Sequence, residues 1–272
     1  TKTKKKTKVT KSKDVKITNV STKIKTKSRE AKYMRRRNVT FLADGLKPYT
    51  RYYAFYDGSK KVRVIPKLVE VTDVQGSFQV GEICEIWNKK AQKFVDGEGN
   101  LKAEDKFEDI VDDPKGKKFR KARRRAVTRL CVPNHKSGKH KNPSETFTFN
   151  PYDRDQDISN LTTYNSSSTF LNIDLLAMSR KAMGKFKGHF WRQHVIIGRK
   201  SGATAIINRK RLVTDGLGSV YGNICFAGRK NKNRRFKTGT KIFKLTNDPK
   251  DSVTLPGAIK HSEAEAPFTS QG

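Results

Sequence analysis

Apolar and polar positions alternate along most of this chain, in short runs. Asn38–Leu42, Arg51–Tyr56, Val62–Thr72, Phe78–Trp87, Thr146–Phe149, Thr169–Ile173, Ala203–Val213, Ser219–Phe226 and Lys241–Leu245 are rich in β-branched or aromatic residues. A period of two residues buries one face of a pleated strand and leaves the other to solvent or to a second layer. Gly, Pro, Asn or Asp separate many of the runs, as turn chemistry requires. The pattern predicts a mostly β chain built as small β-sandwich or barrel modules rather than βαβ units. At most one or two short helices fit: Asp174–Met183, capped by Asp174 and stopped by Gly184, and a weaker stretch at Lys118–Arg125. No repeat of 20–50 residues recurs cleanly, which argues against a solenoid.

One segment carries a mechanism of its own. In Leu46-Lys-Pro48-Tyr-Thr50-Arg-Tyr52, Leu46 and Tyr52 are placed to plug a core and Pro48 to fix the turn. The Tyr52 hydroxyl is then free to bond back to loop backbone. The segment resembles the tyrosine corner of fibronectin-III-like domains, and too few strand-like residues precede it for more than a partial sandwich. Further along, Gly198, Gly202 and Gly216 are expected at tight turns of a C-terminal β module.

Charge changes the picture next. The chain has 272 residues, with 60 Lys+Arg against 26 Asp+Glu and a net charge of +34, so it seeks polyanions or acidic protein surfaces. Residues 1–37 hold 16 Lys/Arg against Asp14 and Glu30, and read as a basic extended arm that cannot bury enough apolar surface to fold alone. Its strand-like alternation suits pairing onto a partner's sheet edge. Residues 96–113 hold eight acids, and residues 115–141 hold 12 Lys/Arg and no acid, so the two blocks suit mutual neutralisation within or between subunits. The chain therefore divides into an arm (1–37), a β module with the corner (38–95), a charged insertion (96–145) and a C-terminal β module (146–272). Arg35, Arg36 and Arg37, with Arg123, Arg124 and Arg125, are the candidate contacts to a polyanion or partner.

Catalytic and metal chemistry find little footing. Cys84, Cys131 and Cys225 form no CxxC, and suit buried thiols in a reducing compartment. Cys131, His135 and His140 lie near one another but lack a fourth ligand, and His189 and His194 have the wrong spacing for HExxH. Asp215-Gly216-Leu217-Gly218 reads as a turn between strands, and Ser201-Gly202 lacks a nucleophile-elbow context. The reading is a non-enzyme with no catalytic, metal or cofactor site. No apolar run approaches the ~18 residues of a membrane span, and no signal-peptide core opens the chain. A start without Met suggests a fragment, a processed chain or an incompletely known sequence.

Several ordered stretches carry a resemblance. They are Met34–Gly58, Pro66–Glu82, Val132–Tyr152, Tyr164–Asp174, Gly198–Phe226 and Phe236–Gly272. In this order they resemble a β-rich module of large virion structural proteins of tailed bacteriophages, the cyanophage-type myoviruses, of tail-fibre or baseplate type. The resemblance implies a non-catalytic structural role among other virion proteins, in the tail or baseplate region of a particle assembled in the host cytoplasm. By analogy it also implies a homo-oligomer, with a trimer as default. The basic stretches depart from the family's pattern. Two other readings stand beside it: a basic nucleic-acid-binding protein of ribosomal or packaging type, and a host-surface adhesin whose loops meet anionic glycan.

Overall fold

The computed structural model describes residues 31–60, 62–88, 93–95, 101–102, 128–136, 146–176, 193–208, 211–228, 231–251 and 261–270. All belong to one compact unit, Ala31–Gly272. Residues 1–30 of the expected arm, Arg123–Arg125, the 118–125 helix candidate and residues 177–183 of the other candidate lie outside the described residues. Among those described, the regular structure is antiparallel strand with no helix, in curled sheets forming a sandwich-like half-barrel. Residues 175–176 lie in a turn.

A three-stranded sheet organises the unit. Its strands are β1 (Arg37–Ala43), β15 (Val220–Phe226) and β3 (Arg63–Pro66), in the order β1-β15-β3. Every residue of β15 is buried. Its even positions Val220, Ile224 and Phe226 enter one hydrophobic core, while Tyr221 and Cys225 enter a second. A strand flanked by apolar layers on both faces reads as a nearly continuous apolar run, which is how Val-Tyr-Gly-Asn-Ile-Cys-Phe reads. Asn223 is the exception. It accepts a hydrogen bond from Thr40 Oγ1 at 2.8 Å and donates to the Leu175 carbonyl at 3.2 Å, so its burial leaves neither end unmet. Fully burying an Ile or Phe side chain contributes about 1.5–3 kcal/mol, so β15 anchors both cores at once.

On one side of β15 lies a four-stranded sheet of β14 (Leu212–Val213), β2 (Arg51–Tyr56), β16 (Gly239–Thr246) and β17 (Glu263–Ser270), in that order. Its core holds Tyr52, Tyr56, Phe226, Phe243 and Leu245. The Tyr56 ring meets Phe226 and Phe236 edge-on at centroid separations of 4.9 and 5.0 Å, a favoured aromatic arrangement. On the other side is the largest sheet, ordered β11 (Phe170–Asn172), β4 (Leu68–Gln75), β13 (Thr204–Ile207), β12 (Val195–Gly198), β5 (Ile83–Asn88), β6 (Lys93–Val95) and β7 (Leu101–Lys102). The short β8 (Thr128–Arg129) also pairs with β5, and a small hairpin joins β9 (Phe149–Asn150) to β10 (Asp153–Asp157).

The stretches 38–95 and 146–272, separable in the sequence, are paired strand to strand: β1 and β3 with β15, β2 with β14 and β16, β4 with β11 and β13, and β5 with β12. The run Val62–Thr72 is two strands. The chain leaves the three-stranded sheet after Pro66 and joins the largest sheet at Leu68. Lys67, the hinge residue, keeps its backbone bonded to Tyr221 and Ile173 on the two sides, each at 2.9 Å.

Candidate functional site

The corner segment is closed by hydrogen bonds to two separate parts of the chain, the stretch Thr214–Gly218 and Ser262. Leu46 and Tyr52 are buried in the core of the four-stranded sheet, and Pro48 is exposed. The Tyr52 hydroxyl accepts from Lys47 N at 3.0 Å and donates to Ser262 Oγ at 2.6 Å, just ahead of β17. Thr214 Oγ1 donates to the Lys47 carbonyl at 2.7 Å and accepts from Thr50 N at 3.0 Å. Leu46 N donates to the Gly218 carbonyl at 3.0 Å. Tyr52→Phe keeps the ring but removes the bonds to Lys47 and Ser262. With a typical net value near 1 kcal/mol per bond, the expected loss is about 1–2 kcal/mol. A denaturant midpoint indistinguishable from the parent's would count against this account of the corner.

Buried charge is held in closed local networks. Glu82 is 1% exposed. Its carboxylate accepts from Gln79 N at 2.7 Å, Lys200 N at 3.0 Å, Ser201 N at 3.1 Å and Ser201 Oγ at 2.8 Å, so three backbone amides and one hydroxyl solvate it. Gly198 ends β12 beside this carboxylate, where an added Cβ would lie 2.5 Å from Glu82 Oε1. Gly202 turns the hairpin at a φ of +69°. Glu85, two residues along β5 from Ile83, receives both Nε and Nη2 of Arg199. Glu70 receives Arg211 Nε at 2.9 Å and Nη2 at 2.6 Å, and Asn208 Nδ2 at 3.1 Å.

Lys67 is the odd member. Its side chain is buried, donating to the Ile173 carbonyl at 3.1 Å and lying 3.8 Å from Cys131 Sγ. Burial pushes its amine below the ordinary lysine range. Burial pushes the Cys84 and Cys131 thiols up, and likewise the hydroxyls of Tyr56, Tyr152, Tyr164 and Tyr221.

These directions predict the alkaline behaviour. In the unfolded chain the thiols and phenols ionise near their ordinary values of 9.0 and 10.0. Above those pH values the unfolded chain holds fewer protons than the folded one, so stability falls as pH rises. Lys67 acts the other way: below 10.5 and above its lowered value, the unfolded chain holds a proton that the folded chain lacks. Two thiols and four phenols outnumber one amine, so cooperative alkaline unfolding is expected, with phenolate absorbance rising together with loss of near-ultraviolet circular dichroism. Tyrosines that all titrate normally in a still-folded protein would contradict the burial assigned to them.

The surface displays cations stacked on aromatic rings. The Tyr53 ring lies under Arg51 and Lys60, each 4.7 Å from its centroid. Tyr33 lies under Arg235 at 4.0 Å and Lys32 at 6.0 Å, and Tyr49 under Arg154 at 5.1 Å. Of the arginines singled out in the sequence, Arg35 is exposed, Arg36 is half-buried, and Arg37 opens β1 with its guanidinium 5.3 Å from the Phe268 centroid. Gly216 lies where a Cβ would meet Tyr49 Oη at 2.8 Å. No local pattern marks Tyr33 or Tyr49 for stacking, because Arg235 and Arg154 reach them from distant parts of the sequence.

Among the described residues, no group of three or more His, Cys, Asp and Glu is placed to hold a metal ion, and no helix is long and apolar enough to cross a membrane. Together these features define, among the described residues, an all-β unit with two cores, in which the carboxylates of Glu70, Glu82 and Glu85 are bonded within the protein. No family model, no curated protein and no solved structure matches the chain.

Proposed function

We propose that the protein is a non-catalytic structural component of a tailed-phage virion, in its tail, baseplate or fibre region, acting through protein–protein assembly. The place in the virion rests on the ordered resemblance of the sequence stretches. The observation that carries the structural role is the fate of the interior charges. Glu82 is solvated by backbone amides, Glu85 is bonded to Arg199 and Glu70 to Arg211, so the named buried carboxylates are committed to holding strands together. The partners are other virion proteins and further copies of the chain, met through basic segments and sheet edges. Captured on a support, the full chain is expected to retain proteins from disassembled virions, and replacing Arg123, Arg124 and Arg125 by Ala is expected to weaken that retention without unfolding it. A chain that retains no virion protein and is absent from cryo-EM tail density overturns the proposal.

A second reading, single-stranded nucleic-acid binding, is favoured by Tyr53 and Tyr33 beneath their cations. Rings beside basic side chains are the stacking platforms such proteins use. It predicts binding that weakens steeply with salt and drops on Tyr53→Ala. Salt-insensitive or absent binding removes it.

A further inference from the structure

Two long strands end sheets among the described residues, and they differ in how their free edges are protected. β17 carries Glu263, Glu265 and Pro267. Charge and a proline without an N–H are devices by which edge strands resist pairing with other chains. β1, Arg-Asn-Val-Thr-Phe-Leu-Ala, has none of these beyond Arg37 at its start. Among the described residues its strand pairing is with β15 alone, through seven residues. None of its residues is fully buried, and Leu42 is 43% exposed. One face is seated, with Phe41 against Phe243 at 5.0 Å between ring centroids, so the strand is held in place while its outer edge stays open among the described residues.

We propose that this edge pairs with β1 of a second copy, antiparallel and about a two-fold axis at Thr40. The strand is self-complementary in that register. Val39 of each copy falls opposite Phe41 of the other, a β-branched–aromatic pair of the kind that stabilises sheets. Arg37 falls opposite Ala43, and Asn38 opposite Leu42. Just beyond the strand ends, exposed Arg35 of one copy comes close to exposed Asp44 of the other, twice per dimer. A parallel arrangement instead sets the arginines of the two copies side by side, and so is disfavoured. The result is one continuous sheet in the order β3-β15-β1-β1-β15-β3. An isologous contact closes at two copies, in contrast to the trimer implied by the phage resemblance. The inference goes beyond the proposed function, since it holds whether or not the protein resides in a virion.

The test uses the full chain. Sedimentation equilibrium is expected to give a dimer. Thr40→Cys in a Cys131→Ser background is expected to form a disulfide-linked dimer on mild oxidation, which the Cys131→Ser parent does not. Leu42→Lys, at an exposed side chain, is expected to weaken the dimer about tenfold or more while leaving circular dichroism unchanged. Asp44→Arg should weaken it similarly, and Arg35→Asp combined with Asp44→Arg should restore it. A monomer at high concentration, a trimer, or a dimer indifferent to Leu42→Lys and not cross-linked through position 40 overturns the inference.

Discussion

Replacing Arg199 alone with Met is expected to destabilise the protein by about 3–5 kcal/mol, and replacing Glu85 alone with Gln or Met by a similar amount. The two side chains are 3% and 2% exposed. Removing the guanidinium leaves a carboxylate in the interior with its main cation gone. That carboxylate lies near the buried Cys84 thiol, which supplies no compensating charge. The pair itself is a weaker stabiliser than either single loss suggests. Its mutual attraction is offset by the cost of taking both charges out of water, so apolar replacement of both partners recovers much of the loss. The prediction is therefore a coupling: Glu85→Met with Arg199→Met should cost clearly less than the sum of the single changes. Urea unfolding of the four proteins in a double-mutant cycle measures it. Strict additivity would sink the assignment of these residues as a pair.

That pair also shows where a sequence stops being legible. Glu85 sits in a run read correctly as strand, but its partner is 114 residues away in the polar sequence Gly-Arg-Lys-Ser. Nothing local marks Arg199 as buried. It is enclosed because β12 pairs with β5, setting Ile197 opposite Glu85. Lys67 hides for a related reason. It sits in an apolar run, Val62–Thr72, that reads as one strand, and its burial follows from a change of sheet at that residue, visible only in three dimensions.

Strand identity was legible where side chains do the choosing. Arg51–Tyr56, Asn38–Leu42 and Ser219–Phe226 are β-branched or aromatic on the faces that become core, and they fold as β2, β1 and β15. The edge strand β17 was not legible. Glu-Ala-Glu-Ala-Pro is poor in residues that favour a pleated surface, and its conformation comes instead from an eight-residue ladder with β16. β10, Asp-Arg-Asp-Gln-Asp, carries no apolar face at all. β12 is a four-residue run in a basic context, too short to stand out before its neighbours are known. The corner at Leu46–Tyr52 was the most informative local signal because its chemistry is short-range: the hydroxyl of Tyr52 and the amide it meets are five residues apart. The glycine against which that corner closes was less obvious, since three glycines lie in the stretch Gly216–Gly222.

Gly218→Ala is expected to cost more than about 3 kcal/mol. Two independent constraints meet at this residue. Its φ is +77°, in the left-handed region that a side chain disfavours, and an added Cβ would lie 2.0 Å from the Leu46 carbonyl oxygen. That oxygen is backbone, so no rotamer change relieves the clash. Nor can the loop retreat cheaply. Leu46 N donates to the Gly218 carbonyl, and Lys47 is tied to Tyr52, Ser262 and Thr214. Moving the Leu46 carbonyl strains all of these and lifts the Leu46 side chain out of the core. Gly216, two residues earlier, is the control. Its φ is not left-handed, and its Cβ would meet Tyr49 Oη at 2.8 Å and the Phe149 ring at 3.0 Å, both side chains able to shift. Gly216→Ala should therefore cost no more than about 1–2 kcal/mol. The ratio matters more than either value, because both substitutions add the same methyl group to the same turn. Because the corner also binds Ser262 ahead of β17, Gly218→Ala should raise amide exchange in β17 and β2 before it does so in β4 and β13, which belong to the other core. Equal costs at the two glycines, or exchange raised uniformly, would mean that the corner does not close on Gly218 as described.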